Sequence, residues 1–277
     1  MAGAAAIVAD PTVEVGAGLL DAAGPGLRVV ANVAVGYDNV DLAACAERGV
    51  AVTNTPGVLT DATAELALAL TLAAARGLCA AEADLRAGRW RGWDPGGYLG
   101  LELSGAAFAV VGMGRIGTRY AELVRPLAGA LLYVSPSRKE AAERELGAER
   151  VALEEALARA DVVSLHAPAT PATRRMIGAR ELALMKREAI LVNTARGSLI
   201  DADALAAALG EGRLGGAGLD VYDDEPRVPE ALLEAPRCVL LPHIGSATVA
   251  AREAMARAAA ANVLAVLRGE RPPNPVA

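Results

Sequence analysis

Apolar runs of strand length alternate along this chain with longer stretches in which apolar residues recur at helical spacing. The later part repeats the alternation through AAFAVVGMGRIG, ALLYVSPS, ADVVSLHAP, AILVNTARG, GAGLDVY and CVLLPHIG. Strands that alternate with helices are typical of a parallel sheet covered by helices, because each crossover returns the chain to the same edge. Six such strands predict an α/β fold with a doubly wound sheet.

The earlier part shows the same alternation on a smaller scale. LRVVANVAV and VAVTNTP have the length of strands, LAACAERG between them is helical, and a helix is predicted from about Asp61 to Gly77. A long helix, AREAMARAAAANVLAVLRG, ends at Gly269 before two prolines. We predict two domains: a smaller, discontinuous one from 1–58 and 248–277, and a dinucleotide-binding one from 59–247.

The composition limits the function classes. The chain has 277 residues, 53% of them hydrophobic, and a net charge of -6. Without a cluster of Lys and Arg, a nucleic-acid partner is disfavoured, since phosphate binding needs concentrated positive charge. The longest apolar helix contains Glu65 and is too short for a membrane span. Cys45, Cys79 and Cys238 are scattered, which indicates neither disulfides nor a metal site and favours the reduced cytoplasm.

A glycine-rich turn follows the strand AAFAVV and precedes a helical pattern that opens with Arg115 and Ile116. Gly112 permits a tight turn, Gly114 lets backbone N–H groups approach a pyrophosphate, and Gly117 lets helix and strand pack closely. Because strand and helix flank the glycines, a dinucleotide site is predicted rather than a simple packing turn.

The next strand, ALLYV, ends without the acidic residue that would hold the ribose 2′-hydroxyl of NAD(H). It continues into Ser135, Pro136, Ser137, Arg138 and Lys139. Two hydroxyls beside two cations suit a 2′-phosphate, so NADP(H) is favoured as the cofactor, with NAD(H) as the alternative. The competing interpretation is a solvated basic loop.

Three late segments each place a reactive side chain just past an apolar run. In LVNTARGSLID, Arg196 offers the planar, bidentate fork that suits a carboxylate. In LPHIGSAT, His243 offers an imidazole, the side chain best suited to exchange protons near working pH, which could protonate the alkoxide that hydride transfer creates. In GLDVYDDEP, Glu225 could hold the imidazolium in place. The set predicts reduction of an anionic 2-oxo acid.

Six motifs succeed one another over nearly the whole chain: NVAVGYDNVDLAACAERGVAVTNTPGVLTDATAELALAL, VVGMGRIG, ADVVSLHAPATPAT, LVNTARGSLID, GAGLDVYDDEP and LPHIGSAT. Together they resemble the D-isomer-specific 2-hydroxyacid dehydrogenase family. The resemblance implies a Rossmann cofactor domain and a smaller flavodoxin-like substrate domain. It also implies that Arg196 binds the substrate carboxylate and carbonyl, that His243 donates the proton, and that Glu225, rather than Asp223 or Asp224, pairs with His243.

The resemblance adds further site residues. For the substrate it implies the backbone N–H groups of Val35 and Gly36, with Ser246 and Trp93. For the cofactor it implies Pro168 on the adenine side, Thr194 and Asp220 near the nicotinamide, and Gly245. The other histidine, His166, is expected to be structural.

The stretch GRWRGWDPGGYLGLELSG looks most like glyoxylate/hydroxypyruvate reductases, in which a tryptophan of the partner subunit closes the substrate pocket. Trp93 would be that residue, which implies a homodimer; alternatively, Trp90 and Trp93 anchor a helix to the core. The expected reaction is NAD(P)H-dependent reduction of small 2-oxo acids to D-2-hydroxy acids, without a metal. Alternatives are a lactate- or phosphoglycerate-type dehydrogenase, or a non-catalytic nucleotide-sensing protein of the corepressor type.

Members of the family begin with a strand and a helix ahead of the segment that resembles AAAIVAD. We therefore expect a substrate domain that is truncated at its N-terminus. In a sheet ordered 2-1-3-4-5 the lost strand would be an interior one, and its neighbours would have unpaired edges. Val35 and Gly36 would lie closest to that gap.

Overall fold

The structure is a computed structural model, and it describes residues 3–276. Its chain divides into two compact units. The first unit is Met1–Ala62 with Ser246–Ala277, and the second is Thr63–Gly245. Each unit has its own parallel sheet and its own apolar core.

Strands and helices alternate along the described chain, as the apolar pattern predicts. In order they are β1 (Ala6–Ala9), α1 (Ala17–Ala23), β2 (Val29–Asn32), α2 (Leu42–Glu47), β3 (Ala51–Thr53), α3 (Thr60–Arg76), α4 (Leu78–Arg86), β4 (Ala106–Val111), α5 (Arg115–Val124), β5 (Ala128–Val134), α6 (Glu140–Leu146), β6 (Glu149–Arg150), α7 (Leu153–Arg159), β7 (Val162–Leu165), α8 (Ala179–Leu184), β8 (Ile190–Asn193), α9 (Ala202–Gly210), β9 (Gly216–Leu219), α10 (Glu230–Leu233), β10 (Cys238–Leu240) and α11 (Val249–Leu267). A short 3₁₀ helix lies at Gly197–Leu199.

The first unit contains a parallel sheet with the order β1-β2-β3. All four residues of β1 pair with β2, so the three strands are contiguous. The expectation that a missing interior strand leaves a gap beside the first strand is therefore wrong. At the other edge, the N–H of Val276 donates to the carbonyl of Val52 at 2.8 Å, and the C-terminal segment covers β3.

The second unit contains a seven-stranded parallel sheet with the order β10-β9-β8-β7-β4-β5-β6. If β4, β5 and β6 are counted as strands 1, 2 and 3, and β7, β8 and β9 as strands 4, 5 and 6, this is the doubly wound order 3-2-1-4-5-6 with β10 added at the edge. The predicted fold class is thus confirmed. Successive residues of β4 face opposite sides: Phe108 and Val110 join one apolar cluster, Ala109 and Val111 the other. Because all strands are parallel, the loops that follow them meet at one edge.

The long apolar helix predicted near Asp61 is α3. Within the second unit it buries Ala64, Ala67 and Leu70 in the core. No single helix among residues 3–276 has the length and apolar character needed to cross a membrane. In this described part of the chain, one pair of consecutive helices, α3 and α4, meets both criteria together, and it is bent by 66°.

Candidate active site

The centre of the site is a hydrogen-bonded pair of side chains from different loops of the second unit. His243 Nδ1 lies 2.7 Å from Glu225 Oε2. The other carboxylate oxygen, Oε1, accepts the N–H of Tyr222 at 2.9 Å. Burial raises the pKa of Glu225, but the hydrogen bonds from His243 and Tyr222 and the charges of His243 and Arg196 outweigh it, so the pKa is lowered. The carboxylate is thus kept ionised beside the ring.

Tyr222 connects the loops that carry the three predicted catalytic residues. Its N–H fixes Glu225, and its hydroxyl donates to the carbonyl of Leu241 at 3.0 Å, two residues before His243. Its backbone packs so closely on Gly197, the residue after Arg196, that any Cβ at that glycine would overlap Tyr222. A glycine after the arginine is therefore required by packing.

Arg196 follows β8, and its loop is held by a buried asparagine. Asn193 donates from Nδ2 to the carbonyl of Arg196 at 2.8 Å and accepts the N–H of Ala195 at 3.0 Å. The guanidinium donates from Nη1 to the carbonyl of Ala195 at 2.8 Å. The positive charge of Arg196 also contributes to the lowered pKa of Glu225.

The loop that carries His243 is held by Asp220 at the end of β9. The Asp220 carboxylate accepts the N–H of Ile244 at 2.8 Å and that of Gly245 at 2.7 Å. Burial raises its pKa, and these two hydrogen bonds oppose the rise. Thr63 of α3 donates its hydroxyl to the carbonyl of Gly245 at 3.1 Å. His243 itself has φ 53, a left-handed conformation that non-glycine residues adopt only when their surroundings hold them there.

The glycine turn after β4 has the geometry that a pyrophosphate requires. Gly112 has φ 99, and a Cβ there would lie 2.5 Å from the N atom of Ala167. Gly114 caps α5, and nothing lies within 4 Å of its missing side chain. A Cβ at Gly117 would overlap the carbonyl of Gly112. The N-terminus of α5, opened by Arg115, thus lies next to a backbone that a ligand can approach closely.

The loop predicted to bind the 2′-phosphate, after β5, contains charges that the sequence pattern did not reveal. Arg138 lies 2.7 Å from the Glu143 carboxylate, so an acid does lie at this loop. Arg150 of β6 donates to the carbonyls of Ser135 at 3.1 Å and Pro136 at 2.8 Å. Arg150 was missed because it comes from a two-residue strand that pairs with β5.

Two further residues that are predicted to bind the cofactor lie after β7 and β8. Pro168 is exposed, and its carbonyl accepts the Thr173 hydroxyl at 2.7 Å. Thr194 is buried, and its hydroxyl has no hydrogen-bond partner among the described residues. A buried polar atom without a partner is costly, so a ligand or water is expected there. Across residues 3–276 no group of three or more His, Cys, Asp or Glu side chains could hold a metal ion.

The other residues that are predicted to bind the substrate lie on segments outside the catalytic loops. Val35 and Gly36 follow β2 in the first unit, and Ser246 also belongs to that unit. Trp93 is 85% exposed and Trp90 is 55% exposed. The alternative in which these tryptophans anchor a helix to the core is therefore wrong. The structure places Trp93 on the surface of the second unit, in a segment between α4 and β4.

His166 lies outside the catalytic group. Its Nε2 is 2.9 Å from the Ser164 hydroxyl, and its ring lies 5.1 Å from the ring of Tyr120. Burial lowers the pKa of His166 to about 3, so the ring is neutral near pH 7. A neutral imidazole next to the glycine turn agrees with a structural role.

Comparison with known proteins identifies the family that these loops resemble. The family model described as "D-isomer specific 2-hydroxyacid dehydrogenase, NAD binding domain" matches residues 68–245. The chain is 50% identical over 254 residues to a glyoxylate reductase of Thermococcus litoralis, which covers 90% of this chain and 77% of that relative. It is 48% identical over 255 residues to a glyoxylate reductase of Aeropyrum pernix, covering 90% of the chain and 76% of that relative.

Solved structures agree in fold. A Thermus thermophilus protein superposes with a TM-score of 0.92 and 47% identity, over 99% of this chain and 86% of that one. An NADPH-dependent glyoxylate/hydroxypyruvate reductase from Sinorhizobium meliloti, solved with NADP and malonate, gives a TM-score of 0.89 at 37% identity, over 99% and 84% of the two chains.

Proposed function

The chain belongs to the D-isomer-specific 2-hydroxyacid dehydrogenase family, and from this premise we propose that it reduces small 2-oxo acids with NAD(P)H. Glyoxylate and hydroxypyruvate are the proposed substrates, and D-2-hydroxy acids the products. The observation that supports the proposal best is the 2.7 Å contact between His243 Nδ1 and Glu225 Oε2, because it leaves Nε2 to face a substrate oxygen.

In this proposal each member of the trio has one task. Arg196 binds the substrate carboxylate and polarises the carbonyl, since its guanidinium carries a permanent charge. His243 delivers its proton from Nε2 to the carbonyl oxygen, and Glu225 stabilises the charged ring before transfer. A dinucleotide held at the glycine turn would supply the hydride that the carbonyl carbon accepts. Asp220, Thr63 and Tyr222 hold the loops in place.

The proposed cofactor is NADP(H), with NAD(H) as the weaker alternative. The dinucleotide would lie on Gly112, Gly114 and Gly117, with Ile116 beside the turn and Thr194, Pro168 and Gly245 near its two ends. Arg138 and Arg150 favour a 2′-phosphate beside Ser135 and Ser137, whereas Glu143 opposes it. A 2′-phosphate that binds here must compete with Glu143 for Arg138.

We further propose a homodimer in which Trp93 reaches the substrate site of the partner subunit. Its support is the exposure of six large apolar side chains close together in the sequence of the second unit, Leu78, Leu85, Trp90, Trp93, Tyr98 and Leu99. Exposed apolar surfaces of this kind mark interfaces. Light scattering is expected to give twice the mass of one chain, and a monomer would refute this assembly. The cytoplasmic location remains a prediction from the three unpaired cysteines.

A steady-state panel tests the function. Glyoxylate, hydroxypyruvate, pyruvate and phenylpyruvate are each assayed with NADPH and with NADH. The proposal expects turnover of the two smallest polar acids at enzyme-like rates, with NADPH the better donor. If the protein binds cofactor and reduces none of the four acids, it is a nucleotide-sensing protein instead.

A further inference from the structure

Two asparagine side chains hold consecutive carbonyls of the loop after β2. Asn54 donates from Nδ2 to the carbonyl of Val35 at 2.8 Å. Asn32, which is fully buried, donates from Nδ2 to the carbonyl of Gly36 at 2.8 Å. Both acceptors are carbonyl oxygens that can only accept, so each asparagine must present its NH₂ group to the loop.

These bonds fix the direction of the backbone N–H groups. The carbonyl before them, that of Ala34, accepts the N–H of Thr55 at 2.9 Å. In a trans peptide the N–H points opposite to the preceding carbonyl. The N–H of Val35 therefore points away from the N–H of Thr55, which donates to the carbonyl of Ala34. In the same way, the N–H of Gly36 points away from Asn54 and the N–H of Tyr37 points away from Asn32. Within residues 3–276, none of these three N–H groups donates to a protein acceptor.

Asn54 is itself fixed from the far side of the unit. Its carbonyl accepts Nδ2 of Asn262, a fully buried residue of α11, at 3.0 Å. The Oδ1 of Asn262 accepts the N–H of Asn274 at 3.0 Å. Asn54 also donates its own N–H to the carbonyl of Asn274 at 3.2 Å. The loop is thus tied to the last helix and to the C-terminal segment.

Successive backbone N–H groups on one side of a loop form an anion-binding concavity. We propose that Asn32 and Asn54 are positioning residues for the substrate carboxylate, because their amides turn the N–H groups of Gly36 and Tyr37 toward it. The N–H of Val35 beside them is directed by the backbone of Thr55. The inference rests on the proposed function, and it adds Tyr37 as a third N–H donor. An aspartate at either asparagine position would repel the carbonyl that it now holds and would turn the peptide over.

Two measurements test the proposal. The first follows the amide resonances of Val35, Gly36 and Tyr37 in ¹⁵N-labelled protein with NADPH, during titration with oxamate, a 2-oxo acid isostere without a ketone. The second compares KM for glyoxylate and for NADPH in wild type, Asn32→Asp and Asn54→Asp. The control is Arg28→Ala, which removes hydrogen bonds to the carbonyls of Val266 and Leu267 at the opposite end of β2.

The proposal expects the three amides to shift with oxamate. It expects KM for glyoxylate to rise by about tenfold or more in both asparagine variants, because hydrogen bonds to a charged group are weakened. KM for NADPH should stay within about twofold, and Arg28→Ala should change neither constant. Amides that do not move at saturating oxamate, or unchanged KM values in folded variants, overturn it. If the three amide resonances shift with oxamate but no 2-oxo acid is reduced, the loop binds a carboxylate and the proposed reductase function is wrong.

Discussion

The hydroxyl of Thr63 donates to the carbonyl of Gly245, two residues after His243, although the two residues are 182 positions apart in the chain. Gly245 also donates its N–H to Asp220, so both its polar groups are bound within the protein. The residues that follow His243, which has a left-handed conformation, are therefore held by both Thr63 and Asp220.

Replacing Thr63 by valine should lower kcat, whereas the same replacement at Thr71 should leave kcat unchanged. Valine keeps the shape but leaves the Gly245 carbonyl without its donor, so we expect kcat to fall by about fivefold or more as the loop loosens. The matched control is Thr71→Val on the same helix, where the hydroxyl contacts Ala67 and Tyr120 instead. Both variants should unfold at a lower temperature. Equal kcat in the two variants would contradict a role of Thr63 in placing His243.

Glu225→Gln should change the pH profile of reduction. Because the ionised carboxylate stabilises the charged ring of His243, its loss should move the alkaline limb of kcat to lower pH. The control is Glu181→Gln, which removes a carboxylate that also accepts a backbone N–H, that of Gly178. The alkaline limbs are compared by measuring kcat of wild type and both variants from pH 5 to about pH 9. An unshifted limb in Glu225→Gln would show that the carboxylate does not act on the proton donor.

The same carboxylate should also contribute stability that depends on pH. The pKa of Glu225 in the folded protein is below its ordinary value of 4.5. The contribution is therefore complete above that value and is lost as the pH falls through the lower, folded pKa. Thermal unfolding of wild type and Glu225→Gln should differ most near neutral pH, and the two Tm values should converge as the pH falls below 4.5 through the folded pKa. A constant difference down to about pH 3 would contradict the lowered pKa.

Arg138 should distinguish the two dinucleotides. Arg138→Gln is expected to raise KM for NADPH by about tenfold, because a charge-assisted contact to the 2′-phosphate is lost. KM for NADH should change little. Arg159→Gln is the control, since Arg159 pairs with Glu149 and Glu155 instead. An equal rise of KM for NADPH and NADH, or no rise of either, would show that the basic loop is a solvated surface and not a 2′-phosphate site.

The sequence predicted those features that depend on residues close together in the chain. The strands of the second unit follow from local apolar runs, and the turn at Gly112, Gly114 and Gly117 from its spacing. The contacts of Thr63 and Tyr222 could not be predicted, because they depend on how distant loops pack. The predicted gap beside the first strand was wrong, since β1 pairs directly with β2. Arg150 was missed because a two-residue strand has no periodicity.

The central claim, that His243 is the proton donor of a 2-oxo acid reductase, is tested most directly by one comparison. NADPH oxidation with glyoxylate is measured for wild type and His243→Ala, together with the NADPH dissociation constant from nucleotide fluorescence. The account predicts turnover in wild type and a loss of about 100-fold or more in kcat in the variant, with NADPH affinity within about twofold. A His243→Ala variant that keeps the wild-type rate would contradict it.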